Sequence, residues 1–191
     1  MNPDLQAVEN LSETPLQNLL VFRLGAQAFA LSIEAIVQVI PMMKLAPLPQ
    51  SDAAIEGVAN IHGKVTPIIN LRRRLELPPL PARLHTPIIL VRLGNRMAGL
   101  LVDEVIDILS LPADQVVHPA EILPEGLEFA RIIAGVIFLA NHNILLLDPC
   151  ALVSPAAQAL RGGLEAINAA VDSARDSAAA LTEPASSETQ A

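Results

Sequence analysis

Residues 22–40, "FRLGAQAFALSIEAIVQVI", lie in register over residues 91–109, "VRLGNRMAGLLVDEVIDIL". Phe22 falls on Val91, Arg23 on Arg92, Leu24-Gly25 on Leu93-Gly94, Leu31 on Leu100, Glu34 on Asp103 and Ile36 on Val105. After a short slip the repeat resumes, with "IEGVANIHGKVTPIIN" (55–70) over "IAGVIFLANHNILLLD" (133–148). Here Gly57-Val58 falls on Gly135-Val136 and Asn70 on Asp148. Each copy consists of short β-branched-rich runs separated by Gly, Pro or Asn turns, which is the pattern of strands. The order is hairpin, return strand, connection and second hairpin. A repeat of this length predicts two similar subdomains packed together. Closing each sheet on itself is the usual answer to exposed strand edges. The expected fold is therefore mainly β, two pseudo-symmetric small β-barrels with four or five strands per copy.

The repeat also sets the organisation of the chain. Residues 1–17 read as a flexible lead and residues 18–153 as the folded body. The body divides into subdomains at about 18–80 and 86–153, because "LELPPLPARLHTP" (75–87) holds prolines that prevent regular structure. Ser154-Pro155 has the form of an N-cap followed by proline at the first helical position, which predicts a helix over 154–172. Leu160, Leu164, Ile167 and Val171 recur at helical spacing there, although Gly162-Gly163 interrupts them. Residues 173–191 are Ala-rich and polar, the composition of a disordered tail.

Composition narrows the function. The 191 residues are 52% hydrophobic but only 2% aromatic, so the core is aliphatic. A net charge of -8 argues against nucleic-acid and anionic-membrane binding, which need a basic field. Arg72, Arg73 and Arg74 are a local exception. The polar, acidic start is neither a signal nor a transit peptide, and no apolar run approaches a membrane span. A single cysteine, Cys150, excludes an internal disulfide and suits a reducing compartment. These features predict a soluble, cytoplasmic protein with no direct membrane insertion.

No catalytic constellation emerges. His62, His85, His118 and His142 lack metal-ligand spacing, so no metal and no cofactor is expected. Cys150 lies in "LLLDPCALV", which suggests a buried, inert thiol. Nucleophile-elbow, phosphate-loop and dinucleotide motifs are absent. Asp103, Glu104 and Asp107 read as a solvated face, since only Glu34 is acidic in the matching stretch. The expectation is a binding module with no catalytic residue. His62-Gly63 admits two readings: a plain hairpin turn, or part of a docking surface made by edge strands with aliphatic neighbours.

The same stretches resemble a known family. "LVFRLGAQAFALSIEAIVQVI", "IEGVANIHGKVTPIINLRRRL" and "IILVRLGNRMAGLLVDEVIDILSL" are similar to three features of CheW-type chemotaxis coupling domains. These are the opening hairpin, the G-V-x-N-x-R-G-x-x-x-P-[IV]-[IV]-[DN]-L signature, and the second opening hairpin with G-[IL]-x-V-D-x-V. The resemblance implies two barrels of SH3-like strands and a non-enzymatic adaptor, peripheral at receptor clusters. Its partners would be a chemoreceptor cytoplasmic hairpin tip and the regulatory domain of a CheA-type histidine kinase, whose autophosphorylation it would help to control. It also implies an apolar receptor groove between the barrels, using Ile36, Val39, Gly57, Val58, His62, Gly99, Val105 and Ile108. Small glycines would admit a helix there and aliphatic side chains would bury its apolar face. For Ile36 and Val105 a core role is an equal alternative.

The chain departs from the family pattern in three places. His62 replaces the signature arginine and its fork of donors. Gln38 stands where an acidic residue is frequent, and Val117 where array-forming members often carry a basic one. These departures suggest a divergent coupler, with an adaptor of pilus motility or surface sensing as the alternative. A small ligand-binding or hydrolytic β-barrel is the alternative from another class. It would require His62, Asp103 and His142 to meet in a cleft.

Overall fold

The runs of four consecutive large apolar side chains include Leu19-Leu20-Val21-Phe22, Ile88-Ile89-Leu90-Val91 and Ile144-Leu145-Leu146-Leu147. Successive side chains of a strand point to opposite faces, so such runs require burial on both faces. The computed structural model describes residues 15–49, 52–123, 128–140 and 142–154, with 169, 172 and 173. In it all twelve of these side chains are buried. Alternate residues enter different cores. Leu20, Phe22, Ile89, Val91, Leu145 and Leu147 share the largest cluster. Leu19, Val21, Ile144 and Leu146 belong to a second, and Ile88 and Leu90 to a third.

The elements run β1 (Leu16–Leu24), β2 (Gln27–Ser32), β3 (Ile36–Pro41), β4 (Ile55–Ile61), β5 (Lys64–Asn70), α1 (Leu71–Arg74), β6 (Pro87–Leu93), β7 (Arg96–Leu101), β8 (Glu104–Pro112), β9 (Val116–Val117), β10 (Ile133–Phe138), β11 (Asn143–Leu147) and α2 (Pro149–Val153). One sheet has the order β8-β1-β2-β11-β10-β9 and the other β3-β6-β7-β5-β4. The second cluster draws its buried residues from the first sheet and the third from the second, whereas the largest draws on both. Phe22 and Phe29, paired across β1 and β2, stack within it at 5.9 Å between centroids.

The sheets do not follow the two copies of the repeat. Hairpin β1-β2 joins β8–β11, and hairpin β6-β7 joins β3–β5. Each barrel therefore borrows its first hairpin from the other copy, whereas the sequence suggested that each copy closes on itself. The chain changes sheets between β2 and β3, through the 3-10 turn Ile33–Ala35, and returns between β7 and β8 at Val102-Asp103. The proline-rich connection over 75–86 thus joins two parts of one barrel, β3–β5 and β6-β7, instead of separating two barrels. β1 begins at Leu16, inside the expected flexible lead. Ser154 is the C-cap of α2. The helix expected over 154–172 and the tail over 173–191 fall almost wholly outside the described residues.

Closure follows the same rule in both barrels. The chain leaving β3 bridges to β4, where Ala46 and Val58 exchange two 2.9 Å hydrogen bonds. The chain leaving β8 becomes β9 and pairs with β10, Val117 opposite Val136. The equivalent glycines explain how the crossing segment comes so close. A Cβ on Gly57 would lie 2.7 Å from the Ala46 carbonyl oxygen, and one on Gly135 would lie 2.2 Å from Val116 Cγ1. Register shifts recur too, at Val37 and Ile106 in β3 and β8, and at Glu56 and Ala134 in β4 and β10. Such bulges bend a strand and increase its twist, which helps small sheets curl.

Gly57→Ala should lower stability by about 2 kcal/mol, because backbone must move to relieve the contact. Gly63→Ala, at φ 79 with open space around it, should cost only about 1 kcal/mol of backbone strain. Urea denaturation midpoints of the two variants test this order.

Candidate docking surface

Arg72, Arg73 and Arg74 sit in α1, a single turn whose N-cap Asn70 accepts a hydrogen bond from the Arg73 amide. One helical turn sends consecutive side chains in different directions, and each arginine meets its own carboxylate. Arg72 pairs with Asp103, Arg73 with Glu56 at 3.2 Å and Arg74 with Asp52 at 2.8 Å. The Arg74 side chain is only 3% exposed. What reads in sequence as a basic patch is a set of internal ion pairs, so it presents no stripe of charge to a phosphate backbone.

The Arg72–Asp103 pair is bidentate. Nε donates to Oδ1 at 2.7 Å and Nη2 to Oδ2 at 2.6 Å. Oδ2 also accepts from the Gly25 amide at 2.7 Å, and Arg72 Nη1 donates to the Pro78 carbonyl at 2.6 Å. The Asp103 amide in turn donates to the Arg23 carbonyl, and Arg23 pairs with Glu104. Burial pushes the Asp103 carboxyl up. The Arg72 hydrogen bond, the Gly25 amide and the charges of Arg72 and Arg23 outweigh it and hold the carboxyl below its ordinary value. The same hydrogen bond raises the pKa of Arg72 despite its desolvation. Asp103 is therefore a structural ligand between segments, not part of a solvated acidic face. Its partners include neither His62 nor His142.

The expected contact residues fall into three groups. Ile36 and Val39 lie on β3, at the edge of one sheet, and Val105 and Ile108 lie on β8, at the edge of the other. The repeat makes them equivalent pairs. Ile36 and Val105 are half-buried and pack on the largest core cluster. Val39 and Ile108 are 43% and 55% exposed, and Ile106, at the β8 bulge, is 49% exposed.

The glycines do not leave room for a helix. Gly57 is filled against by the molecule's own closing segment. A Cβ on Gly99 would meet Ile68 Cδ1 at 2.5 Å and Ile88 Cγ2 at 2.8 Å inside the barrel. Val58 is half-buried and faces the Ala46 bridge partner across the ladder. His62 is exposed at the tip of the β4-β5 hairpin. Its φ of 50° and Gly63's 79° form a left-handed two-residue turn. Cys150 also departs from expectation. Lying at the start of α2, where its amide donates to the Asp148 cap, it is exposed. Short helices bury one face only, and Leu152 occupies it.

Ile106 was missed because its significance lies in the bulge, which the matching Val37 could have signalled. No spacing rule connects Arg72 with Asp103. Among the described residues no group of His, Cys, Asp and Glu is arranged to hold a metal ion. None of their helices is long and apolar enough to cross a membrane.

A family model for the CheW-like domain matches residues 18–157. A probable chemotaxis protein CheW of Rhizobium etli is 33% identical over 150 residues, spanning 78% of this chain and 94% of that protein. Protein PilI of Pseudomonas aeruginosa is 30% identical over 93 residues, 49% of this chain and 52% of that one. The crystal structure of the scaffolding protein TtCheW from Thermoanaerobacter tengcongensis superposes with a TM-score of 0.65 at 21% identity, covering 73% of this chain and 89% of that one. The chain belongs to the CheW-like family of chemotaxis adaptors.

Asp103→Asn should destabilise the protein by about 2 kcal/mol at neutral pH, leaving Arg72 with a weaker partner. A carboxyl whose pKa is depressed on folding stabilises above its unfolded value and loses that contribution as pH falls through its folded one. The gap between wild type and variant should therefore narrow below pH 3.8, the ordinary carboxyl value. Thermal unfolding from pH 7 downward measures it.

Proposed function

We propose that this protein is a non-enzymatic adaptor that couples chemoreceptors to a CheA-type histidine kinase and so controls kinase autophosphorylation. Family membership supplies the class. The observation that carries the reading is the pairing of Val39 and Ile108, equivalent aliphatic residues held exposed on the edge strands of the two barrels. Exposed aliphatic side chains on an edge suit capture of an apolar helix face or a partner strand. Two such edges on one body let it hold two partners at once, a receptor hairpin tip and the kinase regulatory domain. Ile36 and Val105 support these edges from the core side, and His62 stands exposed at the tip of a separate hairpin. This work would take place in the cytoplasm, peripheral to receptor clusters.

A second reading, an adaptor of a pilus-motility or surface-sensing pathway, is favoured by the likeness to PilI. The replacement of the signature arginine by His62 supports the same reading.

Titration calorimetry against a receptor hairpin-tip fragment and a kinase regulatory domain tests the proposal. Binding to both is the expected result, and binding to neither defeats it. Val39→Glu and Ile108→Glu should each weaken at least one of these affinities by about tenfold or more with an unchanged melting temperature. Val105→Glu should instead lose about 2 kcal/mol of stability, because it places a charge against the core.

A further inference from the structure

The proline-rich connection does not lie flat on its barrel. One end is anchored where Arg72 Nη1 donates to the Pro78 carbonyl at 2.6 Å. The other is anchored by a closed turn, in which the Thr86 amide donates to the Arg83 carbonyl at 2.9 Å and the Arg83 amide to Thr86 Oγ1 at 2.7 Å. The Met42 amide then holds Thr86 to the end of β3. Between these anchors the connection and the body line a half-open cleft of about 410 Å³. That size lies within the range of small-molecule sites, roughly 300–1,000 Å³.

The charges lining the cleft are unequal in kind. Arg72 and Asp103 neutralise each other, and both Asp103 oxygens are occupied. Arg83 lines the same cleft. Among the described residues its guanidinium has no hydrogen bond or ion pair, unlike the three arginines of α1. In a chain of net charge -8 this leaves one unneutralised positive charge among the residues that line the cleft. A guanidinium offers a planar fork that fits a carboxylate bidentately. The Thr86 hydroxyl, whose oxygen already accepts from Arg83, keeps its proton to donate. Leu80 and Pro81 on the connection and Leu101 and Val102 on the body complete an apolar wall. The chemistry that matches one unpaired fork beside such a wall is a single negative charge on a short apolar body.

We infer that the cleft between the proline-rich connection and the ends of β5 and β7 binds a small organic monocarboxylate, with Arg83 as its anion ligand. The site is separate from the β3 and β8 edges and goes beyond the adaptor reading.

The test uses the full-length ¹⁵N-labelled protein titrated with hexanoate, hexanamide and inorganic phosphate, followed by amide chemical shifts. Hexanoate should produce saturable shifts at residues 82–86 and 101–103. Hexanamide and phosphate should bind about tenfold more weakly or not at all, for want of the charge and of the apolar body respectively. Arg83→Gln should weaken hexanoate by about tenfold with an unchanged melting temperature, since Arg83 is exposed. Each of four results would overturn the inference. Hexanamide binding as tightly as hexanoate would leave only an apolar hollow, and phosphate binding as tightly would leave only a bare cation. Hexanoate binding unaffected by Arg83→Gln would place the ligand elsewhere, and an absence of saturable shifts would remove the site.

Discussion

Asp103 stands where the chain returns from one barrel to the other, and its carboxylate holds three otherwise separate pieces of backbone. Through the Gly25 amide it fixes the β1-β2 turn. Through Arg72 it fixes the end of β5, and through Arg72 again it reaches the Pro78 carbonyl of the connection. The pair is largely but not wholly shielded, with side-chain exposures of 14% and 19%. Its net contribution therefore comes from hydrogen bonds of good geometry more than from bare attraction between charges. Because the β1-β2 hairpin belongs to one barrel and β5 to the other, the interaction relates the two barrels to each other.

That relation matters because the barrels are interleaved. With each hairpin borrowed from the other copy, the largest hydrophobic cluster draws on both sheets, and strands of both copies contribute to it. Burial of both faces of β1, β6 and β11 makes the pair of barrels one cooperative body rather than two beads on a string. The closing segments then use the shortest possible approach, over Gly57 and Gly135. These glycines are needed by the fold itself.

A rigid body with two equivalent exposed edges is well suited to an adaptor. β3 and β8 are edge strands in their sheets, and the repeat gives both an aliphatic residue on the open side. Bulges at Val37 and Ile106 interrupt regular pairing along those edges, which discourages indiscriminate strand addition while leaving side chains available. Each arginine of α1 is paired, Arg72 with Asp103, Arg73 with Glu56 and Arg74 with Asp52, and Arg72 and Arg74 are largely covered.

The repeat was fully legible in the amino-acid sequence. The hairpin turns, the equivalence of Gly57 with Gly135 and of Asn70 with Asp148, and the aliphatic core could be read from local spacing, and the family from the resemblance of three quoted stretches. Those features depend on residues close in the chain, where strand alternation and turn chemistry act. Tertiary structure alone decided which copy supplies each barrel's first hairpin, since the same repeat is compatible with pairing within or across copies. It also decided that Arg72 meets Asp103, that Gly99 faces inward and that Cys150 faces out. Each of these depends on which distant strand covers a given face, and burial is a property of the neighbour as much as of the residue.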